Sequence, residues 1–133
     1  MTTLKSAVII GGSHAAVQLA ISLRQNGWDG TITLISDEAY LPYQRPPLSK
    51  AFLSGSSSEE QLALRASAAY EKLDVSFKLG VRVTAIDTDK RQIILDNDET
   101  ISFTKLALCT GARARTLPIA GTELSGVHYL RTL

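Results

Sequence analysis

The sequence predicts an α/β fold: a doubly wound core built on parallel strands, into which an antiparallel β-meander is inserted. Two observations carry that reading. Over Ser6–Ile35 a compact apolar run, a segment of helical period and a β-branched run follow one another, the order of a β-α-β unit with a right-handed crossover. Further on, short β-rich runs crowd together from Val75, and an apolar run returns at Leu106–Cys109.

Ser6–Ile10 is apolar without alternation and stops at Gly11, as a strand buried on both faces does. Ala15, Leu19, Ile21 and Leu23 then give a helix one broad apolar face, with Gly27 at its C-terminal stop. Thr31–Ile35 is the second strand, and Tyr40–Pro47 is a loop rich in proline and tyrosine. Pro47–Leu53 has the residues to begin a short helix. The link SGSSSEE follows, in which Ser57 or Ser58 can cap a helix from Glu59. Ser67–Leu73 predicts another short helix. Val75–Phe77, Val81–Asp87 and Gln92–Leu95 are β-rich, with turns of Asp, Lys and Asn, and predict the meander, which Ile101–Phe103 can extend. Leu106–Cys109 reads as a buried strand ending at Thr110-Gly111, and no internal repeat is visible.

With 133 residues the chain fits one domain, and 14 basic against 13 acidic residues imply neither a nucleic-acid surface nor a funnel for acidic substrates. Cys109 is the only cysteine, so an internal disulfide, a CxxC redox pair and a thiolate-rich metal site are excluded. Met1–Ser6 is short and polar, without the pattern of a signal peptide or a membrane span. The expectation is a cytoplasmic protein without a membrane partner.

The first strand-to-helix turn is the strongest local signal. In Gly11-Gly12-Ser13-His14-Ala15-Ala16, Gly11 takes the first glycine position of a GxGxxG phosphate turn, while Ser13 and Ala16 replace the second and third. Such a turn aims backbone N–H groups and the positive helix end at a pyrophosphate. Ser13 adds a hydroxyl that can either crowd a phosphate or donate to it. An acid should close the second strand to hold a ribose hydroxyl, and Ser36-Asp37-Glu38 stands there, with Asp37 the expected distance beyond Ala16. On these residues alone, a plain strand-helix turn followed by a surface acid explains the pattern equally well. His14 reads as a solvent-facing residue of the first helical turn rather than as an acid or base.

Three further segments add to this turn: LPYQRPPLSKAFL, LALCTGARARTLPIAG and GVHYLRTL. With the β-α-β unit they resemble the N-terminal, FAD-binding part of the FAD-dependent ferredoxin and rubredoxin reductases that serve oxygenases, members of the pyridine nucleotide-disulfide oxidoreductase superfamily. The resemblance implies a Rossmann-like FAD-binding core. It implies that Lys50 sits by the reactive edge of the flavin, that Arg45 and Pro46 line the pyrophosphate and ribityl chain, and that the backbone of Val83 lies by the adenine. Thr110-Gly111-Ala112 resembles a turn near the cofactor, and Arg131 an arginine that reaches toward the flavin. Cys109 replaces the family's usual alanine and is expected to act as a small buried hydrophobe. With no dithiol in the chain, the resemblance implies electron transfer from the flavin itself to a ferredoxin or rubredoxin-type acceptor.

The same resemblance implies that residues 1–133 are the N-terminal portion of an FAD-binding domain, incomplete relative to the whole fold, with 113–133 beginning the connection to an NAD(P)H domain. NAD(P)H would then bind only with that further domain, a second polypeptide could complete the fold, and the chain alone would be inactive. The alternative is a non-catalytic module that binds adenine nucleotides or a partner protein.

Overall fold

In a computed structural model, which describes residues 4–133, β1 (Ser6–Ile10), α1 (His14–Gln25) and β2 (Thr31–Ser36) form the predicted β-α-β unit. Residues 1–3 of the polar N-terminal segment lie outside the described residues. The two strands pair in parallel, with Ile9 opposite Leu34. The apolar face of α1 is Ala16, Val17, Ala20 and Ile21, whereas Ala15, expected on that face, is exposed. The reason is phase: with α1 starting at His14, Ala15 falls on the far side of its first turn. Arg24 fastens the end of the unit by donating to the carbonyls of Gly30, Leu73 and Asp74 at 2.7 to 2.8 Å.

The proline-rich loop leads into a short 3-10 helix over Pro46–Ser49 rather than a helix over Pro47–Leu53. Proline preorganises a helix start, and Gly55 and three serines then provide no continuing helical face. Of the two candidate caps, Ser58 is the one used: α2 (Glu59–Leu62) follows it, and the Ser58 N–H donates to Gln61 Oε1 at 2.9 Å. Next comes α3 (Ser67–Lys72).

The run at Val75 lengthens to β3 (Val75–Leu79) and joins β2 in parallel. It is therefore the outer strand of the core sheet and not part of the meander. Chain spacing is the cause: residues 37–74 are long enough to make a crossover, which a parallel partner requires. The meander itself is β4 (Val83–Asp87), β5 (Gln92–Leu95) and β6 (Thr100–Ser102), paired antiparallel. The chain then returns as β7 (Lys105–Leu108) beside β1, giving a parallel sheet of order β3-β2-β1-β7.

α1 and Tyr70 of α3 cover one face of this sheet. The other face is covered by the meander, with Ile93 and Leu95 packed on Val8 and Ile35. β7 is an edge strand among the described residues, so Leu108 is 63% exposed and the expected burial of Leu106–Cys109 is only partial. Beyond it, residues 113–133 run without a helix or strand.

Candidate functional site

β1 and β7 are neighbours, yet β1 leads away through α1 to β2 on one side, whereas β7 is entered from the meander on the other. In open α/β sheets a crevice opens at the carboxyl ends of strands at such a switch point. Here a cleft of about 650 Å³ lies there, walled by the ends of β1, β2 and β7, by the link into β4 and by Arg131 and Thr132.

Glycine makes the crevice possible. The Gly11 N–H donates to Ile35 O at 2.8 Å, and its φ of +128° brings the turn under β7. A Cβ on Gly11 would lie 2.0 Å from the Cys109 carbonyl oxygen, and one on Gly12 would lie 2.8 Å from Ser36 Cβ and Oγ. The segment is thus a turn joining strand to helix, with α1 beginning at His14. Ser13 is the N-cap residue in extended conformation, but its hydroxyl caps nothing and the first turn contains no acid. The first N–H groups of α1 therefore remain available, and Ser13 lines the cleft. Ala16 is fully buried below the turn, where a small residue lets α1 approach the sheet. Cys109 is half-buried against that same core, in keeping with a small apolar role.

The two acids after β2 have different partners. Asp37 Oδ2 accepts from Arg82 at 2.6 Å on the cleft rim. Glu38 instead faces inward, where its carboxylate accepts from the Arg45 guanidinium and from the Tyr43 hydroxyl. Burial, and then the bond to Glu38, push the Tyr43 hydroxyl above its ordinary pKa. Arg45 also donates to Tyr43 Oη at 3.0 Å and to Arg131 O at 2.9 Å, while its buried Nε has no partner among the described residues. Leu133 N–H donates to the Tyr43 hydroxyl at 3.1 Å, so this cluster ties the end of the chain to the proline-rich loop.

One cleft therefore gathers Gly11, Gly12 and Ser13 from the first turn, and Ser36, Asp37 and Glu38 from the second strand end. Arg45, Val83, Thr110, Gly111, Ala112 and Arg131 join them from distant parts of the chain. Five candidates stand apart from the lining. His14, Ala15 and Pro46 are exposed, Ala16 is buried beneath, and Lys50 is exposed with Nζ donating to Pro46 O at 3.3 Å and Ser49 Oγ at 3.2 Å. Sequence reasoning missed Arg82, Arg113 and Tyr43. Arg82 lies in a run whose alternation marks only a strand, and no local signal distinguishes it.

Among the described residues no group of three or more His, Cys, Asp and Glu side chains is placed to hold a metal ion, and no helix is long and apolar enough to cross a membrane. The family model of the pyridine nucleotide-disulphide oxidoreductases matches residues 5–133. The chain belongs to the pyridine nucleotide-disulphide oxidoreductase family. Within it, the chain is 46% identical over 127 residues to rhodocoxin reductase of Rhodococcus erythropolis, an alignment that takes in 96% of this chain and 30% of that protein. It is 39% identical over 136 residues to putidaredoxin reductase of Pseudomonas putida, covering 100% of this chain and 32% of the relative. The crystal structure of the ferredoxin reductase of the CYP199A2 system from Rhodopseudomonas palustris superposes with a TM-score of 0.88 at 39% identity, over 96% of this chain and 31% of that one. The chain thus spans about a third of the length of these oxidoreductases.

Proposed function

We propose that residues 1–133 are the N-terminal portion of the FAD-binding domain of an NAD(P)H-dependent ferredoxin or rubredoxin reductase, with 113–133 leading toward an NAD(P)H domain. In that reading electrons pass from a nicotinamide through FAD to a small iron-sulfur or rubredoxin-type protein in the cytoplasm, and a second polypeptide can supply the remaining fold. The observation that carries it is the Gly11–Ser13 turn at the switch point, followed by a helix whose first turn has neither a side-chain cap nor an acid. Relatives named for rhodocoxin, putidaredoxin and ferredoxin support the acceptor class.

The residues present fit the adenosine and diphosphate end of FAD. The first N–H groups of α1 would face the diphosphate, with Ser13 offering a hydroxyl. Asp37 retains one carboxylate oxygen for a ribose hydroxyl, and the Val83 backbone would lie by the adenine. Thr110-Gly111-Ala112 and Arg131, in the lining of the same cleft, would lie toward the flavin, and Arg45, with Pro46 beside it, would serve the pyrophosphate and ribityl chain. Bound FAD would supply hydride acceptance and single-electron release. Lys50 would offer a cation near the reduced ring, but its ammonium lies outside the cleft lining and needs surroundings from beyond these residues to be held there. That position also favours a second reading, in which the chain by itself is an adenine-nucleotide-binding module.

The test is flavin absorbance and mass spectrometry of the purified chain, followed by stopped-flow reduction with NADH and NADPH and ferricyanide as acceptor. Hydride transfer needs the nicotinamide held about 3 to 3.5 Å from the flavin. The expected result is nucleotide binding without turnover, and turnover once a C-terminal portion of a related reductase is added. Turnover by the chain alone, above that of free FAD at matched concentration, overturns the reading.

A further inference from the structure

The geometry points to Arg82 as the residue that positions Asp37 for an adenosine ribose, leaving Glu38 to a structural task. The inference rests on the FAD-site reading above and goes beyond it by dividing the two adjacent acids and naming a partner that the turn motif does not contain.

Asp37 follows the last residue of β2, and Arg82 precedes the first residue of β4, so the two meet across the rim of the cleft. Their backbones are held in register. Gly80 N–H donates to Glu38 O at 3.0 Å and Val81 N–H to Ser36 O at 3.1 Å, bracketing Asp37, while Arg82 O accepts from Asp96 N–H at 2.8 Å. Arg82 is thereby delivered to the carboxylate by strand ends rather than by a mobile loop.

The pair contributes little to folding. Its side chains are 69% and 50% exposed, and ion pairs in that setting are worth about 0 to 1 kcal/mol. What it does fix is orientation. With Oδ2 accepting from Arg82 at 2.6 Å, one orientation of the carboxylate is favoured, and Oδ1, which accepts no hydrogen bond among the described residues, stays open as an acceptor. Glu38 has no such freedom, because one oxygen takes Arg45 and the other Tyr43. A neutral hydroxyl suits the remaining site on Asp37: it needs one acceptor, and a donor-bearing ribose replaces only water there. A preoriented acceptor loses less freedom on binding than a rotating one.

The experiment is calorimetric titration of the full chain and its variants with 5′-ADP and with 2′,3′-dideoxy-5′-ADP, which lacks the ribose hydroxyls. Arg82→Gln is expected to weaken 5′-ADP about fivefold, the usual size of coupling between residues in contact, with an unchanged urea midpoint. It should leave dideoxy-ADP affinity unaltered. Arg82→Gln added to Asp37→Asn should cost nothing beyond Asp37→Asn alone, and Arg82→Lys should restore part of the loss. Equal weakening of both nucleotides by Arg82→Gln would show Arg82 acting on the phosphates or the fold, and overturns the proposal, as does wild-type affinity in that variant. If the wild-type chain binds neither ADP nor FAD, the FAD-site reading itself fails and this inference falls with it.

Discussion

Replacing Gly11 with alanine tests whether the crevice depends on a backbone that only glycine allows. The added Cβ would stand 2.0 Å from the Cys109 carbonyl oxygen, roughly 1.5 Å inside ordinary contact. The obstacle is backbone, so no side chain can rotate away, and the ends of β1 and β7 must separate. Forcing atoms into a packed site costs about 1 to 3 kcal/mol, and holding a residue with a Cβ at the positive φ of Gly11 about 1 to 2 kcal/mol more. The sum, about 2 to 5 kcal/mol, is a large part of the ~5 to 15 kcal/mol that stabilises a typical domain. Gly55 is a positive-φ control without the close approach, since its φ is +74°, against +128° at Gly11, and nothing lies within 4 Å of its Cβ position. Gly55→Ala should therefore show only the backbone part, about 1 to 2 kcal/mol. Gly12→Ala should show a packing part alone, against Ser36. Urea unfolding followed by Trp28 fluorescence and far-UV circular dichroism measures all three, with unchanged m-values licensing the comparison. If Gly11→Ala costs no more than Gly55→Ala, the close approach of β7 is not what selects glycine at the turn.

Tyr70 is buried with a hydroxyl that has no partner among the described residues, so Tyr70→Phe should leave stability unchanged or raise it by up to about 1 kcal/mol in urea titration. A clear loss would mean that the hydroxyl is satisfied. Burial raises the Tyr70 pKa, and burial followed by the bond to Glu38 raises that of Tyr43, both from 10.0. The folded chain thus holds these protons more tightly than the unfolded one. Their contribution is complete below about pH 10 and is lost as the pH rises through the higher folded values. Urea midpoints should fall above pH 10 and fall less in Tyr70→Phe; a decline identical in both single tyrosine-to-phenylalanine variants and wild type would refute this. Asp37→Ala should weaken ADP or FAD by about 1 to 3 kcal/mol in calorimetry, the cost of one charged hydrogen bond, and unchanged affinity would assign the ribose to another group. Arg45→Met should release residues 131–133 from the loop, visible as faster amide exchange at Leu133, whose N–H is bound to Tyr43. Unaltered exchange there would show that Arg45 is not the fastener.

Local chemistry determined a good deal of this protein. The apolar run before Gly11, the helical period after it and the β-branched run at Thr31 specify a β-α-β unit through contacts that neighbouring residues make, and the structure has these elements within a residue or two. A cap at Ser57 or Ser58 was legible for the same reason, and the structure uses Ser58. Family membership was readable too, through the resemblance of LPYQRPPLSKAFL, LALCTGARARTLPIAG and GVHYLRTL to the family, and the family model matches residues 5–133. Tertiary structure alone decided where those pieces go. Val75–Leu79 alternates apolar and polar residues, which suits an outer strand of the core sheet and a meander strand alike, and its parallel pairing with β2 assigned it to the core sheet. Asp37 and Glu38 are chemically alike and adjacent in sequence. Their separate partners, Arg82 and Arg45, come from other parts of the fold, and pairing across such distances is set by how β2, β4 and the proline-rich loop pack, which no local pattern encodes.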